Sequence, residues 1–205
     1  MSKPIDETAA ARHRAKMEKR KAVQDAEVAE KTVEKGLLMV HTGPGKGKST
    51  AAFGLALRML GRGHRIGVVQ FIKGAWHSAE GDALARFGNQ VEWHSMGEGF
   101  TWETQDLERD VAAAERAWGK ALELIADESF SLVILDELNI ALRYEYLDLA
   151  SVVAALTARR PGLHVVVTGR NAKAELIAAA DLVTEMTLVK HHFAAVVKAQ
   201  AGIEF

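Results

Sequence analysis

A short run of small and basic residues has the composition of an anion-binding loop. Residues 42–50 read Thr-Gly-Pro-Gly-Lys-Gly-Lys-Ser-Thr, and they follow an apolar run, residues 37–41, that predicts a buried strand. Glycine permits backbone conformations that other residues avoid, and it leaves amide N–H groups open to phosphate oxygens. A helix that begins directly after such a loop adds the positive end of its dipole. The pattern therefore predicts a P-loop between a strand and a helix.

The positions of this loop have different predicted tasks in holding the phosphates of ATP. Lys48 can reach the terminal phosphates, the Ser49 hydroxyl can bind Mg²⁺, and Thr50 supports the start of the helix. The usual P-loop spacing would place its first glycine at position 42, where this chain has Thr, so the loop is a variant. Glycine-rich turns also join strands to helices without any ligand, which is the structural alternative. The predicted ATP-binding residues are Gly43, Pro44, Gly45, Lys46, Gly47, Lys48, Ser49 and Thr50.

A second apolar run ends in two acids. Residues 132–135, Leu-Val-Ile-Leu, are followed by Asp136 and Glu137. In a parallel sheet these carboxylates emerge at the carboxyl ends of the strands, beside a phosphate loop. Asp136 can hold a metal-bound water, and Glu137 can ligate the metal or polarise a water. The predicted metal ligands, for Mg²⁺ with Mn²⁺ as an alternative, are Ser49, Asp136 and Glu137, and the predicted catalytic residues are Lys48, Ser49 and Glu137.

Large apolar side chains occur in a glycine-containing loop between these two segments. Met96, Phe100 and Trp102 lie among Gly97 and Gly99. Exposed aromatic rings are costly, so they either fold back onto the core or form an apolar wall for a large flat ligand. The phosphate loop and the acid pair predict Mg-nucleotide chemistry without saying which bond breaks. From the residues alone, a kinase, a motor ATPase and a nucleotidyl or alkyl transferase all remain open.

The elements that must position these residues alternate along the chain from residue 36. Fully apolar short runs separated by helical patterns predict an α/β fold: a P-loop NTPase-like, RecA-like, mostly parallel sheet with helices on both faces. The predicted strands are 37–41, 65–71, 91–93, 132–135, 164–168 and 182–189. The predicted helices are 49–60, 78–87, 107–126, 147–158 and 172–180. Residues 36–205 are thus the predicted P-loop domain.

Residues 1–35 form a charged N-terminal extension with a different composition. They are rich in Lys, Arg, Glu and Ala, and their apolar stripe is weak. Such a segment buries little surface by itself, so it is either a mobile tail or a helix that becomes ordered against something else. The extension is therefore predicted to be helical or disordered.

The overall composition excludes several classes of function. The 205 residues carry a formal net charge of -1, so there is no global basic field to attract nucleic acid. The chain has no cysteine, which excludes disulfides, thiolate metal sites and a cysteine nucleophile. No apolar stretch approaches the roughly 20 residues that span a bilayer, and the charged N-terminus lacks a signal-peptide core. We expect a cytoplasmic protein without nucleic-acid or membrane partners.

The sequence resembles the P-loop type of ATP:corrinoid adenosyltransferases over essentially residues 36–205. The segment Gly-Phe-Thr-Trp, residues 99–102, is the specific part, because ordinary P-loop ATPases do not combine it with this loop. Pro44 stands where Asn or Asp is expected and removes one amide donor, and Ser49 stands where Thr is common but keeps the hydroxyl. The matching stretches are 42–54, 67–74, 97–105, 135–139, 168–170, 189–191, 197–200 and 202–205.

The resemblance implies a particular transfer reaction. The 5′-deoxyadenosyl group of ATP would pass to the Co(I) of a reduced corrinoid, with release of triphosphate, in adenosylcobalamin biosynthesis or salvage. The nucleotide would lie reversed in the loop, so that C5′ faces the corrinoid. Met96, Phe100 and Trp102 are the implied corrinoid-binding residues, and the two aromatics would displace the lower axial ligand of cobalt. A P-loop ATPase or kinase, and a nucleotide-dependent corrinoid-binding module, are the alternatives.

The resemblance also implies partners. The family forms homodimers in which the N-terminal helix of one subunit covers the active site of the other, which would give residues 1–35 a role. A transient reductase such as a flavodoxin would supply the electrons that reduce cobalt.

Other polar residues carry weaker signals. His191 and His192 resemble a metal pair, but adjacent residues on a strand point to opposite faces and are poor co-ligands. Arg170, Arg58 and Lys73 can each meet an anionic group, and for each a surface ion pair or a solvated side chain is the alternative.

Overall fold

The computed structural model describes residues 7–72, 78–97 and 106–204. Phe100, Trp102 and Lys73 therefore lie outside the described residues, and their predicted roles stay predictions. The chain divides into two compact units, Met1–Glu34 and Lys35–Phe205.

The first unit contains one long helix, α1 (Glu7–Ala29). Its sequence is dominated by Ala, Lys, Arg and Glu, which lose little side-chain freedom in a helix. Of the side chains described in this helix, all but the half-buried Met17 are exposed. The described side chains of this helix thus bury little surface, in agreement with the weak stripe in its sequence, and of the two alternatives predicted for residues 1–35 the structure shows a helix over Glu7–Ala29.

The second unit is built on a six-stranded sheet. In spatial order the strands are β3, β2, β4, β5, β1 and β6, and every pairing in the described part of the chain is parallel. The strands are β1 (Leu38–Thr42), β2 (Arg65–Gln70), β3 (Val91–Ser95), β4 (Phe130–Asp136), β5 (His164–Thr168) and β6 (Leu182–Glu185). The parallel α/β fold predicted from the alternating apolar runs is confirmed.

Helices cover both faces of this sheet because successive strand residues point to opposite sides. They are α2 (Lys48–Leu60), α3 (Ala79–Ala85), α4 (Leu107–Ala126), α5 (Leu138–Arg143), α6 (Leu149–Thr157) and α7 (Ala174–Ala179). Val68, Ile134 and Val166 belong to a core cluster with apolar residues of α2 and α3. Val69 and Leu135 belong to a second cluster with residues of α4, α5, α6 and α7.

The strand register brings the polar strand ends together. Gln70 lies opposite Asp136 on neighbouring strands, and His41 lies opposite Thr168. Because β5 lies between β1 and β4, the strand that precedes the phosphate loop does not pair with the strand that carries the acids. Thr168 consequently stands between the two halves of the predicted site.

The last predicted strand, 182–189, is too long. The strand ends at Glu185 because its partner β1 ends at Thr42. Beyond that point the Met186 N–H donates to the Thr42 carbonyl at 2.8 Å, and the Met186 carbonyl accepts from Gly45 N at 2.6 Å. The continuation therefore contacts the phosphate loop instead of another strand.

Asp181 connects three segments at the amino end of β1. Its Oδ2 accepts from the Leu38 N–H at 2.8 Å and from Arg159 Nη2 at 3.2 Å, and its Oδ1 accepts from the Lys35 ammonium. These partners, first the hydrogen bond from Lys35 and then the one from Leu38, hold the pKa of the Asp181 carboxyl below its usual value. Its charged form therefore stabilises the folded state.

We predict that Asp181→Asn lowers the free energy of unfolding by about 1–2 kcal/mol at pH 7, since hydrogen bonds to a charged group are weakened. Because the folded pKa lies below the unfolded one, this contribution is present above about pH 3.9 and is lost as the pH falls through the folded pKa. Urea unfolding at a series of pH values measures the difference. Glu115→Gln removes the same charge at an exposed position of α4 and should stay within about 0.5 kcal/mol of the wild type. An Asp181→Asn difference that does not change with pH would contradict the prediction.

Candidate active site

The phosphate loop lies between β1 and α2, as predicted. Gly43 has φ 94° and Gly47 has φ 104°, in the left-handed region where residues with a Cβ are strained. The loop also packs tightly against the chain after β6. A Cβ on Gly43 would lie 2.5 Å from the Met186 carbonyl oxygen, and one on Gly45 would lie 2.5 Å from that of Thr187. Glycine is thus required here by neighbouring backbone as well as by conformation.

Lys48, the first residue of α2, turns its side chain into the loop. Its ammonium donates to the carbonyl oxygens of Gly43 at 2.9 Å and Gly45 at 2.6 Å, and the residue is only 7% exposed. Burial lowers the pKa of Lys48, and the nearby Glu137 carboxylate partly counteracts this effect. The positive charge is therefore held inside the curve of the loop, within reach of a polyphosphate bound by the loop.

The acid pair occupies two different environments. Asp136 is fully buried, and its carboxylate accepts hydrogen bonds from Gln70 Nε2 at 2.9 Å and from the Thr168 hydroxyl at 2.8 Å. Glu137 has φ 62°, and its backbone N–H donates to the same Thr168 hydroxyl at 2.9 Å. Gly169 passes so close that a Cβ on it would lie 3.0 Å from Glu137 Oε2. The two acids are thus fixed by their neighbours in the strand ends.

A cleft of about 450 Å³ joins the loop and one of the acids. Glu137 lines it opposite residues 45–50 of the loop, whereas Gly43, Pro44 and Asp136 lie outside its lining. Met96, the described member of the predicted corrinoid-binding set, does not line this cleft; it packs against the core cluster on the α4 side of the sheet. The predicted corrinoid contact of Met96 stays a prediction.

Several residues that line the cleft had no assigned task in the sequence. Ala79, Glu80 and Ala83 reach it from α3. Arg170, for which an anionic partner was predicted, reaches it from the segment after β5. A surface ion pair was the alternative for Arg170. The Arg170 guanidinium lies close enough to lower the pKa of Lys48, although burial is the main cause of that shift. Residues 202–204, close to the carboxyl end of the chain, also line the cleft. The matching stretch 202–205 was the signal for this end, but a local pattern could not place it in the fold.

The carboxyl-terminal segment contacts the phosphate loop through an ion pair. The Glu204 carboxylate accepts a hydrogen bond from Lys46, and His192 Nε2 lies 3.4 Å from its other oxygen. The Lys46 hydrogen bond, assisted by the charge of Lys46 and the nearby histidines, lowers the pKa of Glu204. The expectation that His191 and His192 alternate on a strand is wrong, because the two rings stack with centroids 4.7 Å apart beside a 3₁₀ turn, His192–Ala195.

The donor atoms of the site suit a hard cation that retains water ligands. Mg²⁺ prefers oxygen ligands and is typically bound by one or two carboxylates together with substrate phosphates. Glu137 and Ser49 lie on the cleft, and the buried Asp136 carboxylate stands behind them. No group of three or more His, Cys, Asp or Glu side chains with metal-binding geometry occurs among residues 7–72, 78–97 and 106–204.

Fold and site together define a P-loop α/β protein with an additional strand between the loop strand and the acidic strand. The chain belongs to the ATP:corrinoid adenosyltransferase family, because the family model described as ATP:corrinoid adenosyltransferase BtuR/CobO/CobP matches residues 34–205. A second family model, Cob(I)alamin adenosyltransferase N terminal, matches residues 5–28 within the charged extension.

Curated relatives agree with this assignment. A corrinoid adenosyltransferase of Pseudomonas aeruginosa is 56% identical over 194 residues, which cover 95% of this chain and 96% of the relative. One from a Sinorhizobium species is 56% identical, with 95% and 92% covered. The corrinoid adenosyltransferase of Escherichia coli K12 is 45% identical, with 95% and 98% covered.

We predict that Gly45→Ala weakens ATP binding at least tenfold, because its Cβ would collide with the backbone carbonyls of residues 186 and 187 and displace the loop. Isothermal titration calorimetry with ATP and Mg²⁺ measures the affinity. Gly54→Ala is the matched control. Gly54 is exposed in α2, and an added Cβ there would meet no atom within 4 Å. Alanine at this position should leave ATP affinity unchanged and stabilise the helix by about 0.5–1 kcal/mol. Wild-type affinity in Gly45→Ala would show that the tight packing is not needed for binding.

Proposed function

We propose that this protein transfers the 5′-deoxyadenosyl group of ATP to the cobalt of a reduced corrinoid, with triphosphate as the leaving group held by residues 43–50. The observation that carries the proposal is the family match over residues 34–205, on a chain whose loop lysine and acid face one cleft. The relatives named corrinoid adenosyltransferase are covered over more than nine-tenths of their length, so the whole reaction is available to a chain of this size.

The chemistry of the reaction explains why the site needs no protein nucleophile. The electron pair on Co(I) attacks C5′, the cobalt–carbon bond forms, and the bond between C5′ and the triphosphate oxygen breaks with its electrons leaving on that oxygen. Cobalt supplies both electrons of the new bond and is thereby formally oxidised from Co(I) to Co(III), so no further oxidant is required. The protein's task is to place C5′ and to stabilise the charge that develops on the leaving group.

The loop residues are suited to that task. Lys48, held inside the loop, and the amide N–H groups of residues 46–50 present positive charge where the triphosphate would lie. Arg170 adds a further cation on the same cleft. Pro44 contributes no amide donor, and the Gly45 N–H is bonded to the Met186 carbonyl, so the nest relies on residues 46–50.

We propose Ser49 and Glu137 as the residues that would hold Mg²⁺, or Mn²⁺, with Asp136 bonding to a metal-bound water. When bound, the cation would neutralise part of the triphosphate charge. Asp136 suits the outer role because both of its oxygens already accept hydrogen bonds, from Gln70 and from Thr168. Glu137 suits the inner role because it lines the cleft.

We propose Met96, Phe100 and Trp102 as corrinoid-binding residues, with the two aromatics at the lower face of the corrin. Support comes from the position of the segment that enters residues 98–105. It leaves the carboxyl end of β3, at the same edge of the sheet as the phosphate loop. Gly97 packs against Ile72 so closely that a Cβ would lie 2.4 Å from the Ile72 carbonyl carbon, which fixes the base of this segment.

The proposal extends to the assembly and its setting. A homodimer in which the N-terminal helix covers the partner's active site would give a role to the exposed α1, which a family-specific N-terminal model matches over residues 5–28. A cytoplasmic location and a transient reductase such as a flavodoxin stay predictions from the sequence. Separately, none of the helices described in residues 7–72, 78–97 and 106–204 has both the length and the apolar character needed to cross a membrane.

The transfer itself is tested by anaerobic incubation with ATP, Mg²⁺ and a chemically reduced corrinoid. We expect a visible spectrum that changes on exposure to light, because a cobalt–carbon bond is photolabile, and release of triphosphate in equal amount. An ATPase or kinase would instead release phosphate or ADP and leave the corrinoid spectrum unaltered. Binding of both substrates without a light-sensitive product would identify a binding module.

We expect the double variant Phe100→Ala, Trp102→Ala to lose adenosylation while retaining ATP binding, because the aromatics are proposed to act on the corrinoid alone. Corrinoid turnover and ATP titration measure the two effects separately. Phe87→Ala is a control that removes a partly exposed aromatic shortly after the end of α3 and should retain turnover. Unchanged turnover in the double variant would reject the proposed role of both rings.

A further inference from the structure

Gln70 is a fully buried neutral side chain next to the acid pair. It ends β2, lies between β3 and β4, and is 0% exposed. A buried amide is costly unless both its oxygen and its nitrogen are hydrogen-bonded. Nε2 of Gln70 donates to Asp136 Oδ2 at 2.9 Å, and its Oε1 accepts from the Ser95 hydroxyl at 3.0 Å. The amide therefore bridges two strands.

The direction of each hydrogen bond in this bridge is determined. An ionised Asp136 only accepts, so the NH₂ group of Gln70 must face it, and the amide oxygen must then face Ser95. Ser95 donates to that oxygen and accepts from Trp93 Nε1 at 3.1 Å. On the other side Thr168 donates to Asp136 and accepts from the Glu137 N–H. A continuous chain of hydrogen bonds thus crosses the carboxyl ends of four adjacent strands.

Gln70 also holds the segment that leads into residues 98–105. Its backbone carbonyl accepts from the Met96 N–H at 3.0 Å, directly after Ser95, whose hydroxyl bonds the Gln70 side chain. One residue further, Gly97 is packed against the Ile72 backbone. Gln70 therefore contacts both the Asp136 carboxylate behind the nucleotide cleft and the base of the segment that carries the aromatics.

We propose that Gln70 is a positioning residue for adenosyl transfer, which keeps the Asp136 carboxylate and the base of the corrinoid-binding segment in a fixed relation, so that C5′ of the nucleotide and the cobalt meet in line. This inference rests on the proposed function for its substrates. It assigns no contact between Gln70 and either substrate. It goes beyond the loop and the acid pair because it links the two substrate regions through one buried amide.

The linkage through Gln70 predicts different effects for Gln70→Met, for Ser95→Ala and for the double variant. Gln70→Met keeps the length of the side chain and removes both amide bonds, and we expect kcat to fall about 100-fold, the loss typical of a misplacement near 1 Å. Ser95→Ala removes only the link toward the corrinoid-binding segment. We expect it to raise the KM for the corrinoid severalfold while the KM for ATP stays within about twofold of the wild type. The double variant should be no worse than Gln70→Met, because both changes break the same chain.

Two further measurements separate positioning from a loss of folding. Val68→Ala, two residues earlier on the same face of β2 and equally buried, is the matched control: it lowers the midpoint of thermal unfolding but should leave kcat and both KM values within about twofold. The affinity for ATP with Mg²⁺, measured by calorimetry without any corrinoid, should fall in Gln70→Met and stay at the wild-type value in Ser95→Ala.

The inference is overturned if Gln70→Met behaves like Val68→Ala, or if the effects of Gln70→Met and Ser95→Ala multiply. Should Gln70→Met fail to fold, Ser95→Ala alone decides, because its residue is exposed and its fold is expected to be intact; an unchanged corrinoid KM then overturns the linkage. If the wild type forms no light-sensitive product, the proposed function fails. The calorimetric comparison then still tests the positioning of Asp136: an ATP affinity equal to the wild type in Gln70→Met overturns it.

Discussion

The hydrogen bonds that enclose the Asp136 carboxylate are the constraint on which the site depends. A fully buried anion is tolerated only where neighbouring donors replace its water, and here the donors come from β2 and β5, the two strands beside β4. Those partners are available because the register places Gln70 opposite Asp136 and because β5 lies between β1 and β4. The order of the strands thus determines the environment of the acid pair, and the backbone of Glu137 is fastened to the same Thr168 hydroxyl.

The phosphate loop depends on a second close contact, between glycines and the chain that follows β6. Gly43 and Gly45 pack against the backbone of residues 186 and 187, and the Gly45 N–H is bonded to the Met186 carbonyl. This contact closes the loop around the Lys48 ammonium, which is bound by two loop carbonyls. Cation, amide groups and helix dipole are therefore in place before any substrate charge develops, which is the arrangement that stabilises a polyphosphate leaving group most effectively.

In this reaction the cobalt of one substrate attacks a carbon of the other. The protein therefore has to position the two substrates more than it has to supply reactive groups. The residues at the carboxyl edge of the sheet fit that requirement. They hold charge beside the nucleotide cleft, and they anchor the start of the segment that leads into residues 98–105, where Gly97 packs against Ile72 and the Met96 N–H donates to the Gln70 carbonyl. Under the proposed positioning role, a change at the buried Gln70 amide would affect both substrate regions.

The sequence by itself determined the features that depend on residues close together in the chain. The glycine loop between a strand and a helix, the acids after an apolar run, the α4 boundaries at 107 and 126 and the parallel α/β class all follow from local spacing and residue type. Only the tertiary structure decided which strand lies between β1 and β4, the short helix Leu138–Arg143, the ion pair of Lys46 with Glu204 and the partners of Gln70. The helix is too short to show a helical period in the sequence, and the other features join residues that are far apart in the chain. Strand order and side-chain partners arise from tertiary packing, which a local sequence pattern does not determine.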